Sequence, residues 1–158
     1  MDTILEVCKK AKAASYELAK LSTETKNTAL HSMANALEAN IDKILAANAK
    51  DTQDAKIRGV KPVLLDRLAL DKKKISNMAR CLREVAALTD PVGTIERTWT
   101  RPNGLIIGQI RVPLGVVGVI YESRPDVTSD AAGICVKSGN AVILRGGSDA
   151  LNSNVTIG

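Results

Sequence analysis

Aromatic residues are nearly absent, with one tryptophan, two tyrosines and no phenylalanine in 158 residues. A core must therefore be built from alanine, valine, isoleucine and leucine. No stretch interleaves basic residues with aromatics, so the formal net charge of +5 does not read as a nucleic-acid surface. Histidine occurs once, as His31, with no carboxylate or second ligand near it in sequence. That pattern predicts a helix-surface residue and no metal site. The three cysteines, Cys8, Cys81 and Cys135, show no CxxC spacing. Scattered thiols in odd number suit a reducing cytoplasm better than a disulfide scaffold. No apolar run is long enough to span a membrane and no signal-peptide pattern is seen, so a cytoplasmic protein without a membrane partner is expected. A GxGxxG fingerprint is also missing. Gly115 and Gly118 precede a strand core instead of opening a helix, and they read as close packing within a sheet.

What is present begins with helical periodicity. At this length one domain, or part of one, is expected. From residue 2 to about 20, Ile4, Val7, Cys8, Ala11, Ala14, Ser15 and Leu18 recur at three- and four-residue steps, which predicts an amphipathic helix with Cys8 buried. Ser22 or Thr23 caps a second helix, with Ala29, Leu30, Met33, Ala34 and Leu37 inward. Asn40 caps a third, carrying Ile41, Ile44, Leu45 and Asn48, whose polar end from Asn48 to Lys56 is expected in solvent before Gly59 closes it. Pro62 suits the first turn of a short helix through Leu68. Asp71 caps the next, with Ile75, Met78, Ala79, Leu82 and Val85 inward, Cys81 beside that stripe and Lys72-Lys73-Lys74 wet. This half shows no evident chemistry.

Asp90-Pro91-Val92-Gly93 marks a boundary, after which the pattern becomes β. Residues 94–100 and 105–112 flank Arg101-Pro102-Asn103-Gly104, a strong hairpin signal. The apolar run from Val116 to Tyr121 fits a strand buried on both faces. Asp126 or Thr128 can then cap a helix with Val127, Ala131, Ile134 and Cys135 on one face and Gly139 at its end. Residues 140–144 form a second such strand, and Arg145-Gly146-Gly147-Ser148 leads into a new helix. A βαβ unit of this kind belongs to a parallel sheet. It brings two loops, Glu122-Ser123-Arg124-Pro125 and Arg145 to Ser148, to the carboxyl ends of neighbouring strands. Ligands bind at that edge of α/β sheets, and an arginine beside a helix N-terminus suits an anion. Two adjacent anion sites follow.

The string YESRP at 121–125, paired with SGNAVILRGGS at 138–148, resembles the gamma-glutamyl phosphate reductase family (glutamate-5-semialdehyde dehydrogenases), within the aldehyde dehydrogenase superfamily. The resemblance implies an α/β fold: an N-terminal helical layer (1–89), a hairpin (90–112) of the kind used as an oligomerisation arm, and a partial Rossmann-like parallel sheet (113–158) of the cofactor-binding domain. It implies a homo-oligomer, with glutamate 5-kinase as a candidate associate.

The same resemblance implies the chemistry. A cysteine thiolate attacks the acyl phosphate of L-glutamyl 5-phosphate, phosphate leaves, and NADPH reduces the thioester to L-glutamate 5-semialdehyde. The superfamily sets a basic residue against the adenosine ribose at the strand end that matches Arg145. NAD-preferring members commonly have a glutamate three residues later, where this chain has Ser148. Arg145, Gly146, Gly147 and Ser148 are therefore the expected cofactor residues, and NADP(H) is expected over NAD(H), unless Arg145 only neutralises Asp149 or Glu122. The superfamily's oxyanion asparagine falls near Arg124. Arg124, assisted by Ser123, is expected to hold the substrate's phosphate or its carboxylate, against the plainer role of clamping its loop. Tyr121 and Asp130 read as packing and capping residues. The nucleophilic cysteine and the pyrophosphate turn are expected beyond Gly158, so no catalytic residue is assigned here and the 158 residues alone are expected to be inactive, with an open sheet edge. A competing reading is a non-catalytic remnant serving as a nucleotide-binding or assembly module. A third is a related reductase of another substrate, against which YESRP speaks.

Overall fold

Thr3 begins the first helix with a reciprocal cap. Its hydroxyl accepts the Glu6 N–H and its own N–H donates to Glu6 Oε2 at 2.7 Å. The computed structural model describes residues 3–158, so the start expected at residue 2 lies outside the described residues. Five helices follow one another: α1 Ile4–Leu18, α2 Thr23–Ala39, α3 Ile41–Ile57, α4 Pro62–Leu68 and α5 Lys72–Ala87. Ser22 supplies the α2 cap and Asp71 the α5 cap, each accepting a backbone N–H three residues on. Asn40 sits at the start of α3, but its side chain donates back to Ala36 O.

The main core lies between α2 and α5. Leu30, Ala34, Leu37, Ile75, Ala79 and Leu82 are buried together, joined by Ile44 of α3. The inward stripes expected for α2 and α5 are thus the observed ones, and His31 is exposed. On α1 the expectation fails. Cys8 is exposed and Ile4 is 85% exposed. Only Ala11, Ser15 and Leu18 turn toward the sheet, and the apolar stripe runs on past the elements that could cover it.

Residues 95–110 form the expected antiparallel hairpin, β1 Ile95–Thr100 with β2 Ile106–Ile110. Gly104 closes its loop with φ +85 and donates to Arg101 O. The hairpin stands off the body: every residue of β1 is exposed.

β3 Val116–Tyr121 and β4 Ala141–Gly146 pair in parallel, with α6 Asp126–Lys137 as the crossover. The register sets Ile120 against Arg145 and Tyr121 against Gly146, so Arg145 and Gly146 end the strand and do not lie in the loop. Neither strand is buried on both faces. Ile120 is 78% exposed, because alternate side chains of β3 point to a face left open to solvent, and each strand also has one unpaired edge among the described residues. Neither Asp126 nor Thr128 caps α6. Pro125 occupies the cap position, and Thr128 shares a hydrogen bond with Tyr121 Oη at 2.6 Å. Ile134, expected inward, is exposed, while Gly133 lies so close to Leu82 that an added Cβ would meet it at 2.5 Å.

A 3₁₀ turn, Ser148–Ala150, leads into α7 Leu151–Ile157. This end is held by the part of α3 expected in solvent. Asp51 is buried and accepts the backbone N–H groups of Asn152 and Ser153, the Asn152 amide and the Ser153 hydroxyl, at 2.6–3.1 Å. Asn48 beside it donates to Leu68 O and Ser153 Oγ and accepts the Leu70 N–H. A polar helix face is buried here because it caps another helix. A second buried pair joins Lys26 of α2 to Asp90, which also accepts from Thr23 Oγ1 and the Val92 N–H. Burial would raise the Asp90 pKa. The hydrogen bonds from Lys26, Val92 and Thr23 outweigh it and hold the carboxyl below its ordinary value.

Replacing Asp51 with alanine orphans four donors and should cost about 2–4 kcal/mol. Urea unfolding, with amide exchange rising first in α7, checks this. The stabilisation from Asp90 is complete above its unfolded pKa of about 4 and is lost as pH falls through the lower folded value. Asp90→Asn should therefore flatten the loss of stability below about pH 4, while costing about 3 kcal/mol at neutral pH by orphaning Lys26. Melting curves against pH check both.

Candidate functional site

β3 ends at Tyr121 and the chain turns sharply. Ser123 has φ +50, an uncommon left-handed setting for a residue other than glycine. Its hydroxyl donates to Asp149 Oδ2 in the loop after β4. The two expected loops therefore adjoin, stitched by one hydrogen bond across the strand ends. Gly147 is needed for this approach, since a Cβ there would lie 2.3 Å from Asp149 and 3.4 Å from the Glu122 backbone. Gly146 likewise backs onto the Asn154 amide and the Tyr121 ring.

The two arginines do not share a pocket. Arg145 is exposed, and among the described residues it forms no ion pair with Glu122 or Asp149. Ser148, three residues on, is exposed as well. Arg124 turns the other way, into a cleft of about 980 Å³ between α4, α5 and the start of α6. Its guanidinium donates to Asp126 Oδ2 at 3.0 Å and remains more than half exposed.

The helical layer supplies the opposite wall of this cleft, where the sequence showed no chemistry. Lys73, Asn77, Arg80 and Cys81 of α5 line it, with Arg67 of α4. Arg80 is engaged with Glu84 and Asn77. Cys81 receives only a long contact, from the Asn77 amide at 3.9 Å. The polar spacing along α5 was visible in the sequence, but a solvated face has the same spacing.

Asp130, one turn beyond Asp126 on α6, also lines the cleft. It is half-buried and has no hydrogen-bond or ion-pair partner among the described residues. Burial, reinforced by the Asp126 charge, pushes its pKa up against the pull of Arg124. It caps nothing, so the packing and capping role expected for it does not describe it. Cys135 is buried inside α6, and burial pushes its thiol up. A thiol so placed is a poor nucleophile.

No family model matches the chain. Over 149 residues it is 64% identical to the gamma-glutamyl phosphate reductase of Caldanaerobacter subterraneus subsp. tengcongensis, a match covering 94% of this chain and 36% of that protein. The crystal structure of the Thermotoga maritima gamma-glutamyl phosphate reductase matches 99% of the chain with a TM-score of 0.94 at 46% identity, over 38% of its own length. The chain is homologous to the gamma-glutamyl phosphate reductases. It spans a little over a third of the length of the curated reductases it matches. An acetylating aldehyde dehydrogenase from Geobacillus thermoglucosidasius shares the fold, with a TM-score of 0.68 at 22% identity over 94% of this chain and 30% of its own. The helical layer, hairpin and partial parallel sheet of this reductase relative are thus part of the aldehyde dehydrogenase fold.

Asp130 has a raised folded pKa, so its favourable contribution is present below its unfolded pKa and is lost as pH rises through the folded value. Asp130→Asn should therefore melt higher than the parent at pH 7, and the gain should vanish below about pH 4. Paired thermal melts at the two pH values check this.

Proposed function

We propose that the chain forms the cofactor edge and the substrate cleft of an NADPH-dependent reductase that converts L-glutamyl 5-phosphate to L-glutamate 5-semialdehyde. One observation carries this reading. Arg124, just after β3, and Arg145, at the end of β4, stand at the carboxyl ends of adjacent parallel strands, and the turns that follow are joined by the Ser123–Asp149 hydrogen bond. Phosphate-bearing ligands bind at that edge of α/β sheets.

The residues after β4 suit NADP(H). The Arg145 guanidinium is exposed and uncommitted among the described residues. Ser148 offers a hydroxyl and no competing charge, and the nearby Asp149 carboxylate is already engaged by Ser123. Arg145 can grip a 2′-phosphate through two hydrogen bonds while Ser148 donates a third. Gly146 and Gly147 keep the strand end low enough for the loops to meet. NADPH, when bound, supplies the hydride that takes the acyl group to the aldehyde.

On the substrate side Arg124 is the cation that meets the ligand, and Ser123 fixes the turn that aims it. An arginine here suits L-glutamyl 5-phosphate, which carries a phosphate at one end and a carboxylate at the other. Of the three cysteines, Cys135 is sealed in α6 with a raised pKa, Cys8 sits on α1 away from both loops, and Cys81 lines the α5 wall of the Arg124 cleft with the Asn77 amide at 3.9 Å. We assign the nucleophile to none of them, as the family resemblance implies. The β1–β2 hairpin serves as an arm for self-association, since Ile95, Ile106 and Ile110 are each more than half exposed on it.

Adenosine 2′,5′-bisphosphate and AMP, titrated into the chain, test the cofactor reading. The bisphosphate should bind at least about tenfold tighter, the equivalent of about 1.4 kcal/mol. Arg145→Ala and Ser148→Glu should each remove the preference. Equal affinity for the two nucleotides in the parent chain would overturn the assignment to NADP(H).

A further inference from the structure

An acyl phosphate of glutamate offers Arg124 two different anions, the phosphate and the α-carboxylate. The surroundings of Arg124 distinguish them. A pocket built for phosphate alone gains nothing from a free carboxylate at its wall, because the two repel. Asp130 is such a carboxylate. It lines the same cleft, is half-buried, and lacks a protein partner among the described residues. The other acidic groups near the mouth are accounted for: Asp126 accepts from Arg124, Asp71 caps α5, and Asp66 is exposed to water. Asp126 and Asp130 are four residues apart on α6, so they share a face about 6 Å apart. The guanidinium held by Asp126 and the open carboxylate of Asp130 are therefore neighbours. One cation and one anion side by side complement the two charges of an α-amino acid head, whose ammonium and carboxylate sit on the same carbon.

We propose that this cleft reads the amino-acid head of the substrate, with Asp130 accepting hydrogen bonds from its α-ammonium group and Arg124 gripping its α-carboxylate. The inference rests on the reductase reading and extends it, since it assigns the acyl phosphate to the side of the molecule away from Arg124. Lys73 and Arg67 on the facing helices add positive charge to the same cleft. The energetic logic is consistent. A half-buried carboxylate without a partner is costly to the free protein, and a bound ammonium relieves that cost.

The test is a titration of the full 158-residue chain with L-glutamate and with glutarate, which lacks the amino group, read by amide chemical shifts. L-Glutamate should move the resonances of residues 124–130 and 77–81 and should bind more tightly than glutarate. Asp130→Asn should weaken L-glutamate roughly tenfold to a hundredfold. The same variant should leave glutarate unchanged or tighter, which also shows that the variant is folded. Arg124→Ala should weaken both ligands. If L-glutamate and glutarate bind the cleft equally and Asp130→Asn affects neither, the ammonium assignment is wrong while the cleft stays an anion site of the reductase. If neither ligand moves the cleft resonances, the assignment and the substrate reading of Arg124 both fall.

Discussion

The site depends on a helix too short to stand alone. A seven-residue helix has little intrinsic stability, and most of what it has must come from its ends and its contacts. α7 begins just after the turn that follows β4, and its first N–H groups are satisfied by a carboxylate a hundred residues earlier in the chain. Asp51 does for α7 what an N-cap residue does locally, with a full charge aimed at the positive end of the helix dipole. Ala150, at the same junction, is buried with Ala55 and Leu68. Through these contacts α3 and α4 fix where β4 ends, and so where Arg145 and Ser148 stand. The helical layer is the mount for the strand ends.

That dependence explains which parts of the fold could be read from the sequence. The α2 and α5 stripes were legible because their apolar residues face each other across one core. The βαβ unit was legible because Gly139 and the two apolar runs fix its breaks locally. Asn48 and Asp51 were not legible. A polar residue on a polar helix end reads as solvated until a distant N-terminus needs it. Cys8 failed in the opposite sense. Its stripe has the right period, yet α1 extends past the strands that its last turns cover. Periodicity states which residues share a face. It does not state whether anything lies opposite.

The candidate site divides along the same line. The places of Arg124, Ser123 and the Arg145–Ser148 segment were legible because each sits at a strand end beside a helix start, a local and recognisable setting. The cleft was not, because its two walls lie about 50 residues apart and only the packing of α5 on α6 brings them together. Gly133 is the residue that permits that packing. With no side chain of its own it lets α6 close onto Leu82, and Asp130, one turn earlier, comes to face α5 as a result. A position that looks like filler in a helix thereby sets the width of the cleft.

Ser123 connects the two halves. Its left-handed backbone ends β3 abruptly, a conformation that costs about 1 kcal/mol or more for a residue with a side chain. The hydrogen bond to Asp149 compensates and ties the turn after β3 to the turn after β4. The same bond therefore has two electrostatic consequences. On one side it turns Arg124 toward the acidic face of α6, where a cation and an anion stand together. On the other it orients Asp149, and Arg145 stands exposed without an ion-pair partner among the described residues. Two neighbouring turns of similar composition thus present different charges, Arg124 beside two carboxylates of α6 and Arg145 without an ion-pair partner among the described residues.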